Sequence, residues 1–375
     1  MVVDSHVTTD ASNGGVRGNG LWWASIVVAA LGYAWARAVF THEYSAVPWK
    51  RLLAMDAPLP FGHRVLIPWL AGPFVDAGIS AGWVFGVVEA VAFVVVVGFS
   101  ASAATQWLSG PRARVAAAMT GAMLPLVYVL PRKWPLLYPW DGPALAVLAV
   151  GVWAATRRRY WIVLLVAVVG ALNRETALLV ALVVLAMAAH DPEQRPVAVA
   201  WAQLIIAAVL ATRLVVAMAL PDNPGPPIHW TIGGRGEYRV FSNLRYLAAP
   251  RHWPWLVVYV GLLPLAWPWV RRRVPGQLHR TALVGATFFA ASMLVANVYE
   301  PRAWGESVYL VGFAVAVGAC RGTQPHVDDT EADGPPWLRR IDQLTLVAVA
   351  LGFAVFVLAL DAWHFLPVAQ WPMPR

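Results

Sequence analysis

Cysteine, lysine and charge are all scarce in this chain. The single cysteine, Cys320, excludes an internal disulfide and any cysteine-rich metal site. Lysine occurs only at Lys50 and Lys133, so the net charge of +8 is almost entirely arginine. Charged residues make up 13% of the chain and hydrophobic ones 59%, with a mean hydropathy of +0.59, which rules out a soluble globule. No basic n-region precedes the first apolar run, so that run reads as a retained span and not as a cleaved signal. No internal repeat is found, which counts against an inverted-repeat transporter. His42, His229 and His252 lack the spacing of metal ligands, so no metal site is expected. Gly233-Gly234-Arg235-Gly236 follows no strand, so it reads as a flexible loop tip, and no cofactor is expected.

What the chain does have is a succession of apolar runs near membrane-spanning length. They are Leu21–Phe40, Gly82–Trp107, Val115–Leu130, Gly142–Thr156, Tyr160–Leu172, Ala177–Ala189, Val197–Leu220, Pro254–Val270, Thr281–Tyr299, Gly305–Cys320 and Leu344–Leu360. Arg64–Gly78 is apolar but short and proline-broken, and reads as a partial, interfacial helix. The expected fold is all-α, a polytopic transmembrane bundle of about eleven crossings plus that partial helix. Residues 1–20 are polar and glycine-rich and read as a disordered cytoplasmic tail, 21–361 as the membrane domain and 362–375 as a short outer tail. The 21 tryptophans, many near span ends, fit an interfacial role. In such a chain the arginine excess is an orientation signal and not a nucleic-acid signature. The arginine-, alanine-, valine- and proline-rich usage suggests a GC-rich bacterial genome, hence a bacterial inner membrane.

Asn173-Arg174-Glu175-Thr176 interrupts the longest apolar stretch. The charge-free runs on either side have 13 residues each, roughly 20 Å of helix against roughly 30 Å of hydrocarbon. One helix through both would measure about 45 Å, so a hairpin of two short helices is expected, with the charges near its tip. Charges so placed usually face a protein interior or a water-filled cavity. A purely structural ion pair at the tip is the alternative. With the hairpin counted as two crossings and the N-terminus inside, Arg112, Arg114, Arg157–Arg159, Arg271–Arg273 and Arg339-Arg340 all fall on the cytoplasmic side.

The same topology gathers unusual polar residues at the outer face. Glu43, Asp56, His63 and Arg64 come from the first loop, Arg132, Lys133 and Asp141 from the second, and Arg174 and Glu175 from the hairpin. His229, Arg235, Glu237, Tyr238, Arg239 and His252 come from the largest loop, and Glu300, Arg302 and Glu306 from a late one. In Phe61–Pro68, His63 and Arg64 form a basic pair where a loop enters the membrane. Arg64 there can grip a phosphate or a buried carboxylate, or simply snorkel. Asp141 opens a helix, as a cap or as part of a site. Arg64, Arg174 and Glu175 are expected to share one polar cluster, because each needs a partner at the membrane edge.

An N-in core, acids in the first outer loop, Phe61–Pro68, a membrane-edge Asp141 and the Asn173–Thr176 hairpin together resemble the C-fold class of membrane glycosyltransferases. The resemblance covers roughly the first half of the chain. It departs from the class pattern in one respect: Glu43 and Asp56 stand apart, with no acidic doublet. The resemblance implies sugar transfer from a polyprenyl-phosphate donor at the outer face, with membrane lipid and that donor as partners. The general base is then Asp56 first, Glu43 second and Asp141 third. Arg64, Arg174 and Arg302 would hold the phosphate, with His63, Glu175 and Glu300 beside them. A transporter or lipid flippase and a non-catalytic scaffold remain open as rival classes.

Overall fold

The structure is a computed structural model that describes residues 12–129, 136–189, 191–224 and 238–321, with side chains from residue 20 onward. The chain is all-helical, and the described residues contain no strand, only isolated bridges such as that between His42 and Leu136. The helices are α1 (Ser12–Phe40), α2 (Trp49–Leu53), α3 (Leu66–Asp76), α4 (Ala81–Ala104), α5 (Gly110–Tyr128), α6 (Asp141–Thr156) and α7 (Tyr160–Asn173). They continue as α8 (Leu179–Ala188), α9 (Arg195–Ala219), α10 (Arg239–Ala248), α11 (Trp253–Tyr259), α12 (Trp267–Val270), α13 (Gly276–Ser292) and α14 (Gly305–Cys320).

Four helical stretches are long and apolar enough to cross a membrane: Gly20–Phe40, Ala81–Ala104, Arg195–Ala219 and Pro301–Cys320. A fifth qualifies if the bent pair Pro250–Tyr259 and Leu263–Arg273 counts as one. The remaining apolar helices are short, as expected for the hairpin of α7 and α8. Two expected spans differ in the structure. Pro254–Val270 is bent by 96°, because Gly261 and Leu262 both take positive φ (73° and 61°) and break the helix. Helix α1 is described from Ser12. Helix α13 stops at Ser292, short of Tyr299, and the chain turns there toward Asn297. The expected span Leu344–Leu360, the Arg339-Arg340 pair, Arg132, Lys133, His229, Arg235 and Glu237 lie outside the described residues.

Helix ends separate into two levels. At one level, Arg157 at the end of α6 donates to Ser102 near the end of α4, and Arg158 pairs with Asp191 at 2.7 Å, just before α9. At the other level, Arg37 at the end of α1 reaches Asp141 at the start of α6, and Arg174 at the junction of α7 with α8 reaches both Asp141 and Glu306 at the start of α14. The helices between them pack closely through small residues, which lets backbones approach. Gly151 of α6 is one such position, where any side chain would collide with Val180 of α8. Helix α3 lies across the second level, with Pro68 in its first turn and Pro73 inside it, and leaves Trp69, Leu70 and Phe74 exposed.

Candidate functional site

Helix α7 stops because Arg174 is extended (φ −161°, ψ 147°), and a 3-10 turn over Glu175–Leu178 then leads into α8. The four residues at this break reach different elements. Asn173 Nδ2 donates to the Trp140 carbonyl at 2.9 Å, beside the start of α6. Arg174 Nη2 donates to the Ala303 carbonyl at 3.2 Å, just before α14. Glu175 accepts from Arg64 Nη2 at 2.7 Å, in front of α3. Thr176 Oγ1 donates to Glu306 Oε1 at 2.7 Å, in the first turn of α14. The break thus acts as a hub, and its buried polar groups find the partners that an apolar surrounding demands.

From Arg174 a line of alternating charges runs through the bundle. Its Nη1 lies 3.2 Å from Glu306 Oε1 and 3.6 Å from Asp141 Oδ1. Asp141 Oδ2 lies 3.7 Å from Arg37 Nη2, and that nitrogen lies 3.4 Å from Glu89 Oε1. All five side chains are buried. The helix dipoles favour this arrangement, since Asp141 and Glu306 sit in first turns and Arg37 in a last turn. Buried ions are tolerated because each meets an opposite charge; removing one partner would strand the next. Asp141 is held by charge alone. Neither guanidinium reaches hydrogen-bond distance, and Oδ2 has no hydrogen-bond partner among the described residues.

Aromatic rings wall the cluster. Tyr138 stacks on Trp140 (centroids 4.9 Å) and on Phe61 (5.6 Å), and Tyr44 meets Tyr138 edge-on at 6.1 Å. Arg302 lies 3.7 Å from the Tyr138 ring centre and Arg64 lies 4.9 Å from that of Trp140, which adds cation–π attraction. Arg302 also pairs with Glu300 at 2.9 Å. In the loop between α1 and α2, burial first and the Glu300 carboxylate second push the Tyr44 phenol above its usual range. Burial, then the nearby Arg213 guanidinium, lowers the His63 imidazole.

The structure therefore brings Asp141, Arg64, Arg174, Glu175, Glu300 and Arg302 into one region, and places His63 next to Arg64. Asp56 and Glu43 lie outside the buried line. Asp56 is exposed and tied to Arg51 at 3.5 Å. Glu43 accepts the Trp49 N–H at 2.9 Å at the start of α2. The backbone of neighbouring His42 accepts from Leu137 N at 2.8 Å, which holds this segment beside Tyr138. Sequence reasoning passed over Arg37, Glu89 and Arg213. Each is a charge inside a long apolar helix, the same signal that singled out Arg174 and Glu175. Among the described residues no group of three or more histidines, cysteines or carboxylates is arranged to hold a metal ion. No protein-family model matches the chain, and no curated protein or solved structure does either.

Proposed function

We propose that this chain is an integral membrane glycosyltransferase. It would move a sugar from a polyprenyl-phosphate donor to an acceptor at the face where Arg64, Arg174 and Arg302 meet. The observation that carries the reading is this convergence: three arginines from distant elements, with a stacked aromatic wall, at one level of the bundle. The short helices α5, α6, α7, α8 and α13 would cross with the four long ones and the bent pair, and Leu344–Leu360, outside the described residues, would make the eleventh crossing, with the N-terminus cytoplasmic and this face outside. The setting would be a bacterial cell membrane.

The bond between the sugar anomeric carbon and the phosphate oxygen breaks, and a bond from that carbon to the acceptor oxygen forms. The acceptor proton passes to a carboxylate, and polyprenyl phosphate leaves with its negative charge. Arginines stabilise that developing charge. Asp141 and Glu306 hold Arg174 in place. The base must meet an acceptor from solvent, and Asp141 is closed in, so the first outer loop is the better source. Within it, Glu43 is now favoured over Asp56, because the His42–Leu137 contact keeps it near the aromatic wall.

A second reading has its own support. Nearly every cluster charge is paired internally, as in a non-catalytic scaffold. Purified protein in liposomes, given a panel of radiolabelled polyprenyl-phosphate sugars and membrane acceptors, separates the two. Transfer by the unmutated protein that is lost in Arg174→Gln supports the enzyme. No transfer from any donor supports the scaffold.

A further inference from the structure

Arg213 stands in an unusual place. It lies near the end of α9, an apolar helix whose neighbouring Leu210, Leu214, Val215 and Met218 are exposed. Among the described residues its guanidinium donates to backbone carbonyls, of His63 at 2.6 Å and of Ala171 at 3.3 Å. It makes no contact ion pair among the described residues, although the Glu175 charge is close enough to act on it. A cation in an apolar helix without a contact counter-ion is costly and marks a functional position.

Next to it, Arg64 is buried, and its Nε has no hydrogen-bond partner among the described residues. Arg64 does meet Glu175, but through Oε1 only, and Oε2 of that carboxylate has no hydrogen-bond partner either. The Glu175 side chain is 45% exposed as a whole although its Oε2 is buried, so the carboxylate lies just beneath the surface. At this end two guanidiniums thus face one carboxylate, whereas the buried line beside it holds two guanidiniums to three carboxylates. Helix α9 touches both the Phe61–His63 turn and the turn that carries Glu175, and α3 touches α7. The exposed apolar side chains of α3 and α9 place this spot at the lipid-facing edge.

We propose that Arg64 and Arg213 form a binding site for the phosphate of a polyprenyl lipid, and that Glu175 occupies it as a built-in competitor until the phosphate displaces it. The proposal rests on the enzyme reading for its choice of lipid. Guanidiniums in a fixed fork match phosphate oxygens, and a phosphomonoester carrying about −1.5 to −2 would balance the two guanidiniums that Glu175 gives up. Displaced, the Glu175 carboxylate swings outward from beneath the surface.

The sign of one substitution tests this. Undecaprenyl phosphate is titrated into the detergent-solubilised protein, with undecaprenol and inorganic phosphate in parallel. Arg213→Gln should weaken undecaprenyl phosphate binding by roughly tenfold or more, the scale of one charge-assisted hydrogen bond. Glu175→Gln should tighten it by a similar factor, because the competing anion is gone. Undecaprenol should bind weakly and respond to neither change. A Glu175 that is only structural predicts no tightening in Glu175→Gln or in Glu175→Ser, and that result overturns the proposal. So does binding of inorganic phosphate as tight as that of the lipid. Phosphate-dependent lipid binding without sugar transfer would sink the enzyme reading and leave the site standing. Transfer with unchanged lipid binding in Arg213→Gln would do the reverse.

Discussion

The Glu89 carboxylate occupies the space that a side chain at Gly142 would need. The Gly142 N–H donates to Glu89 Oε1 at 3.2 Å, and a Cβ at position 142 would stand 2.8 Å from Oε2. The glycine after Asp141 thus lets a buried acid from α4 reach the N-terminus of α6, where the exposed backbone N–H groups and the dipole favour it.

Gly142→Ala should therefore push Glu89 off the helix terminus and loosen its hold on Arg37. The expected cost is about 1–3 kcal/mol, the usual scale for overpacking a filled core. A lowered melting midpoint in detergent checks it. An unchanged midpoint would mean that the carboxylate moves aside freely.

Glu89→Leu should be worse than Gly142→Ala, because it leaves Arg37 buried with only the more distant Asp141 to balance it. Removing one partner of a buried pair costs about 3–5 kcal/mol. Adding Arg37→Met should recover much of that loss, since Asp141 keeps Arg174 at 3.6 Å. The measurement is a thermal double-mutant cycle. A double variant less stable than either single one would show that Arg37 is held by more than its charge partners.

Topology can be read chemically. In a Cys320→Ser background, Ser45→Cys should react with an impermeant thiol reagent on intact cells. Arg158→Cys should react only after permeabilisation. Both positions are exposed, so accessibility reports sidedness. The opposite pattern would place the arginine cluster inside.

The acids can be ranked by activity. Glu43→Gln should cut sugar transfer by roughly two to four powers of ten, the range of general-base loss, while Asp56→Asn keeps most of it. A dead Asp56→Asn beside an active Glu43→Gln would return the base to the outer edge of the loop. Because Glu43 also accepts the Trp49 N–H, insertion and melting are checked alongside.

Much of the site was legible in the chain because charge inside an apolar run is costly and therefore conspicuous. Arg174 and Glu175 stood out on that ground, and Arg64 stood out at the entry to α3. Their meeting follows from the same cost, since each needs a partner. Arg37, Glu89 and Arg213 gave the same signal with one charge each. A lone charge in a long span does not reveal its partner, because partners come from helices remote in sequence, such as Arg37 and Glu89 at 52 residues' separation. Asp56, attractive for its closeness in sequence to His63 and Arg64, is exposed and pairs with Arg51 at 3.5 Å instead of with Arg64.

By itself, the sequence determined the all-helical class, the apolar character of the helices, the break at Arg174 and the shortness of α3. These depend on local composition, on proline and on the length of apolar runs, all of which act within a few turns. Only the tertiary structure decided which charges face one another, that α11 and α12 bend by 96°, and that Arg213 stands beside Arg64 with no contact ion pair of its own among the described residues. Those outcomes depend on how helices stack. Stacking follows from small residues such as Gly142 and Gly151, whose neighbours come from distant parts of the chain and cannot be read along it.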